Sequence, residues 1–287
     1  MKRELNTTRS MKGLSVIELL VGLTIFGAVS AATVGAFFDV LRRAYDHETI
    51  GRTEDQAETI ADMIAAEVRL IGAGIPFGQT NFAIGQAGLG TAPLPILLTS
   101  TNTSLQLRGN LSGAYSVLAA TFTPNALNRT FSVLSSADFK VGDVVYLSNL
   151  VAGSAEGLRG VVQSVSGVDI TIQAGYVTTA GATFASGSTA NLVDEVHFNS
   201  PSDWSGVTRD DGSGAVIIAP NSTFVLEYLD ENGNSMPLPL TNPRVASNLS
   251  AIEVTAFVRA SKPLENGSIY SAEATRQIAL RNLIVSR

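Results

Sequence analysis

The chain has 287 residues, 45% of them hydrophobic and only 15% charged, a formal net charge of −6 and no cysteine. That length allows a sizeable core in one domain plus appendages, while the missing cysteine excludes disulfide frameworks, thiolate metal sites and cysteine nucleophiles. The basic residues Lys2, Arg3, Arg9 and Lys12 face only Glu4 within residues 1–13, and the acidic remainder shows no basic run, so no nucleic-acid partner is expected, although a local basic patch stays compatible with this.

From Leu14 to Phe38 the sequence is almost wholly apolar. Some 25 residues at about 1.5 Å each exceed the ~30 Å hydrocarbon thickness of a bilayer. Glu18 is the one ionisable residue inside this run. A carboxylate at membrane depth costs several kcal/mol unless it is interfacial, neutralised or paired, which makes Glu18 a candidate functional residue. A secretory signal peptide is one reading, with Val29-Ser30-Ala31 supplying small residues for a cut, but apolar residues continue past that point to Phe38. A plain membrane anchor is another, and it leaves Glu18 and Gly13 without a role.

The third reading rests on Gly13-Leu14-Ser15-Val16-Ile17-Glu18-Leu19-Leu20. This segment resembles the class III signal of type IV prepilins, in which a basic leader ends in Gly and the fifth residue after it is Glu; Leu14 stands where Phe is usual. The resemblance implies cleavage between Gly13 and Leu14 by a membrane aspartic prepilin peptidase, with N-methylation of Leu14. It also implies partnership with other pilins and with an inner-membrane assembly platform. Such a cut removes the leader's charge and leaves the apolar helix attached, as an assembly element. Glu18 then lies about 6 Å along the helix from the Leu14 amino group. In a staggered filament a neighbour's Leu14 ammonium would neutralise Glu18 in apolar surroundings, and an unpaired partner would be costly, so the pair selects register. The basic leader orients the precursor with residues 1–13 in the bacterial cytoplasm and the rest outside the inner membrane.

Helical spacing continues beyond the apolar run. No proline appears before Pro76, and Ala57, Ile60, Ile64, Val68 and Ile71 recur with Glu58, Asp62 and Glu67 between them, the pattern of a half-buried helix. We therefore expect one helix from about Ser15 to Ile71, with residues 14–40 spanning the membrane or the filament core and residues 41–75 amphipathic. Gly27, Gly35 and Gly51 each weaken it by about 1 kcal/mol relative to Ala. Gly27 and Gly35 fall near the positions at which major pilins of the family carry helix-softening residues. Gly72 and Gly74 suit a left-handed helix end, and Pro76 forbids continuation. The segment from Glu67 to Gly74 resembles the end of the long helix in PilW-type minor pilins.

Residues 76–287 read as a β-rich head. Phe224, Leu226 and Tyr228 alternate with Val225 and Glu227, and Ile252, Val254, Ala256 and Val258 with Glu253, Thr255 and Arg259. Asp211-Gly212, Asn232-Gly233 and Asn266-Gly267 supply turn chemistry. Residues 131–175, with Val141-Gly142-Asp143 followed by a Val-rich hairpin, resemble the small β-barrel-like insertion of PilW-type proteins. Residues 274–282 resemble the family's closing strand. The expected fold class is α+β, pilin-like: one long N-terminal helix packed on an antiparallel head with an extra β-module.

Catalytic chemistry is thinly supplied. Only His47 and His197 are present, and no nucleophile elbow, zinc helix or phosphate loop occurs. Asp230, Asn232 and Asn234 have the spacing of calcium-loop ligands, but Thr241 occupies the closing position, so a hairpin turn is expected there. We expect no enzyme, cofactor or metal. The sequence reads as a structural subunit of a type IV pilus, a minor pilin that primes assembly or sits at the tip. The alternatives are a type II secretion pseudopilin or an adhesive tip module.

Overall fold

The computed structural model describes residues 15–75, 96, 99–125, 129–149, 157–177, 182–238 and 249–280. They form one helix and thirteen strands, all strand pairs antiparallel, which is the expected α+β class. Helix α1 runs unbroken from Val16 to Arg69, 54 residues, through Gly27, Gly35 and Gly51. It ends two residues before the expected Ile71 because its last turn tightens: Leu70 N and Ile71 N donate to Glu67 O and Val68 O. Gly72 and Gly74 follow with φ of 78° and 73°, the left-handed region that lets the chain leave the helix axis. Pro76 lies outside the described residues.

The second half of α1 covers a three-stranded sheet of β11 (Ser222–Asp230), β12 (Leu249–Arg259) and β13 (Ser271–Ala279), ordered β11-β12-β13. Ala57, Ile60, Ala61, Ile64, Ala65 and Val68 interlock with Phe224, Tyr228, Ile252 and Val254, all at most 1% exposed. Period 3.6 on the helix and period 2 on the strands thus meet across one core. A second sheet adds Leu105, Leu107, Val196 and Phe198 to the same cluster. It is ordered β1-β8-β9-β10, from β1 (Ser104–Gly109), β8 (Asp194–Asn199), β9 (Val207–Asp210) and β10 (Val216–Ala219).

Everything between β1 and β8 is an insertion. These two strands pair with each other, Gly109 opposite Asp194, and the chain between them makes a separate six-stranded sheet. Its order is β2-β7-β4-β5-β6-β3, from β2 (Tyr115–Val117), β3 (Thr130–Ser132), β4 (Val144–Ser148), β5 (Gly157–Ser166), β6 (Asp169–Val177) and β7 (Thr189–Leu192). Backbone bonds from Ala119 N to Ser132 O and from Leu134 N to Val117 O tie β2 to β3, closing the sheet into a small barrel. Phe131, Val145, Leu147, Ile170 and Phe184 fill it as a separate core. The expected module at residues 131–175 is therefore the middle of a unit that reaches from Tyr115 to Leu192. The strands first and last in its chain order, β2 and β7, are too short to carry an alternation signal.

Candidate functional site

Among the described residues, the first half of α1, taken as residues 16–41, forms no hydrogen bond or ion pair with the head. Its most apolar 18-residue window has a mean hydropathy of 2.0 and is 0% buried, and large side chains from Val16 to Leu41 stand open. This half is long and apolar enough to cross a membrane. The hydroxyls of Thr24 and Thr33 donate back to Val21 O and Val29 O, both at 2.8 Å, so neither adds an unsatisfied donor to the apolar surface. A Cβ added at Gly27 or Gly35 would meet nothing within 4 Å.

Glu18 has a local role that the sequence reading overlooked. Ser15 caps the helix, and Ile17 N donates to its Oγ at 3.3 Å while Ser15 N donates to Glu18 Oε2 at 3.0 Å. This is a capping box: two orphan donors of the helix start are satisfied, and a carboxylate sits at the positive end of the helix dipole. The Ser-x-x-Glu spacing was the available signal. Gly13 and Leu14 lie outside the described residues.

The second half of α1 is clamped to the head by polar contacts at intervals along its length. Arg42 pairs with Glu265 at 3.1 Å, and Asp46 accepts from Glu265 N at 3.2 Å. Further along, Tyr270 OH donates to Glu54 at 2.7 Å, Arg276 pairs with Asp62 at 2.7 Å and Arg209 with Glu67 at 2.8 Å. The Arg276 hydrogen bond holds the Asp62 carboxyl below its usual range. At Glu67 burial outweighs the Arg209 guanidinium and pushes the carboxyl up. Exposed pairs contribute little each, so the apolar core provides the main adhesion and the clamps set the register.

The helix end also fixes the base of the barrel. Gly72 N donates to Arg108 O, Asn110 N to Ala73 O, and a Cβ on Gly109 would stand 2.3 Å from Leu70 O. Gly74 has Asn191 of β7 and Asn110 beside it, at 2.9 and 3.1 Å from where its Cβ would be. One short turn thus touches both the root of the insertion and one of its strands.

The remaining candidate groups are committed to local structure. His47 is exposed on α1, and His197 Nε2 lies 2.8 Å from Ser104 Oγ. His197 borders a cleft of about 440 Å³ between head and barrel with Asp143, Asp194, Glu195, Asp210 and Asp211. Asp194 accepts from Leu111 N and Ser112 N, Glu195 pairs with Arg108, and Asp210 accepts from Gly212 N and Gly214 N. Asp211 is held down at about 2, first by Ser213 and then by Arg209. Asp230 accepts from Asn232 N and Asn234 N, so its carboxylate closes a turn. Among the described residues no group of three or more His, Asp or Glu side chains is placed to hold a metal ion. Compared with family models, curated proteins and solved structures, the chain matches none.

Proposed function

We propose that the chain is a minor subunit of a bacterial type IV pilus, held in the inner membrane by the first half of α1 and passed into the filament by that same segment. The observation that carries this reading is the division of one unbroken helix. Residues 16–41 are largely apolar, charged only at Glu18 and Asp39, and stand uncovered, whereas one face of residues 57–68 is buried in the head. An uncovered apolar helix of this length needs either lipid or neighbouring helices around it, and exchanging one for the other is what assembly requires. The prepilin-like segment around Gly13, Leu14 and Glu18 supports the same reading, with prepilin peptidase as the processing partner.

The capping box gives Glu18 an acceptor role in its own chain before a neighbour arrives. A neighbouring subunit's Leu14 ammonium then competes for, or shares, a carboxylate that already points along the helix start. Bulk supports a minor place. A head of roughly 210 residues has a width near 40 Å by compact-domain scaling, and closely staggered copies would crowd at every step.

The test is mass spectrometry of the mature protein and of sheared filaments. The mature chain is expected to begin at N-methylated Leu14, at an abundance well below that of the main filament subunit. A terminus at Ala32, retention of Met1, or stoichiometry equal to the main subunit refutes the reading.

A further inference from the structure

Three loops of the head converge beside the middle of α1. Residues 203–206 lead into β9, residues 220–221 join β10 to β11, and residues 260–262 follow β12. Gly206, at φ 121°, brings the first two together: a Cβ there would lie 2.5 Å from Ala219 O, so only glycine admits the approach. The buried Ser222 hydroxyl locks the contact, donating to Ala219 O at 2.6 Å and accepting from Val207 N at 3.1 Å.

Among the described residues, the two non-glycine residues with left-handed backbone are both here, Trp204 at φ 61° and Asn221 at φ 55°. Asn221 tolerates this conformation, but a bulky indole does not favour it, and Trp204 persists there only where the surroundings impose it. Both hold Arg259. Asn221 O accepts the backbone N–H of Arg259 at 2.8 Å, and the Arg259 guanidinium carbon lies 4.0 Å from the centre of the Trp204 ring. A guanidinium stacked on indole is fixed in direction without being neutralised.

Arg259 lines a cleft of about 460 Å³ between these loops and residues 45–56 of α1. Lys262 and Arg52 line it too, against one carboxylate, Glu48, which pairs with Arg52. Among the described residues neither Arg259 nor Lys262 has a carboxylate partner. In a chain of net charge −6, three cations on one opening form a local reversal of sign. Two guanidinium forks and an ammonium suit a group that spreads its charge over several oxygens.

We propose that this cleft is an anion-binding site for a phosphate ester, with Arg259 as the oriented fork and Lys262 and Arg52 as flanking charges. The site does not depend on filament membership. Its rim residue Tyr45, itself exposed, lies four positions beyond Leu41, where the long apolar half of the helix ends, or about 6 Å along the axis. A phosphate ester therefore reaches it either from a lipid head group or from solution, by the same chemistry.

Trp204 is the chain's only tryptophan, so its fluorescence reports on Arg259 without a label. The experiment titrates the full-length chain in neutral detergent with inorganic phosphate, glycerol phosphate and short-chain phosphatidylglycerol, with short-chain phosphatidylcholine as the zwitterionic comparison. A saturable change is expected with the anionic probes, weakened by salt. Affinity should fall by roughly three- to tenfold in Lys262→Gln and in Arg52→Gln, both of which leave the Trp204–Arg259 stack in place. Binding of all three anionic probes supports the site with a soluble ligand, and binding of phosphatidylglycerol alone supports it with a lipid head group. No saturable change with any anion, an equal response to phosphatidylcholine, or unchanged affinity in both variants overturns the proposal.

Discussion

Replacing Ile64 by alanine tests whether the second half of α1 builds the core of the head. Ile64 is 0% exposed and sits one turn from Ile60 and Val68 on the face that meets Ile252 and Val254. The truncation removes three buried carbons, each worth about 0.8 kcal/mol of transfer free energy. A close-packed helix and sheet cannot collapse into the gap, and the residual cavity raises the cost to about 3–4 kcal/mol. For a head of this size that lowers Tm by roughly 6–16 °C. Val29→Ala, made on the same helix at a side chain 59% exposed, should leave the head's Tm within about 2 °C. The assay is thermal unfolding of the full-length protein in detergent, followed by near-ultraviolet circular dichroism. A loss from Ile64→Ala no larger than that from Val29→Ala would refute the division of labour along the helix.

The close approach of β1 to the end of α1 predicts that Gly109→Ala, which sets a Cβ 2.3 Å from Leu70 O, destabilises the head by about 1–3 kcal/mol; a urea midpoint equal to the parent's would show that the turn yields freely. Asp211 titrates near 2 when folded, below its ordinary 3.8, so its ionised form stabilises the fold above about pH 4 and that contribution is lost as the pH falls toward 2. Asp211→Asn should accordingly flatten the acid limb of the stability–pH profile, and an unaltered limb contradicts the assignment. Glu18→Ala should insert into the membrane at least as well as the parent, because a carboxylate has gone from the apolar segment, yet appear less in sheared filaments; undiminished recovery counts against a pairing role for Glu18.

Local periodicity made much of this protein readable without a structure. The long apolar run, the 3.6-residue spacing of Ala57, Ile60, Ile64 and Val68, and the alternation of Phe224–Tyr228 and Ile252–Val258 each follow from chemistry local to one stretch of chain. The glycines after the helix belong to the same class, and so does the Ser15–Glu18 capping box, which was legible in the spacing and passed over in favour of an intermolecular role. The limits of the barrel were not legible, since β2 and β7 are three and four residues long and gain their stability from neighbours they cannot specify alone. Nor was the pairing of β1 with β8, which holds the barrel between them. The cationic cleft lay furthest out of reach. Arg52 stands on the helix while Arg259 and Lys262 stand at the end of β12, and composition averages these charges into an acidic whole. Only packing the helix across the three-stranded sheet brings them to one opening, because charge adds up by distance in space and not by position along the chain.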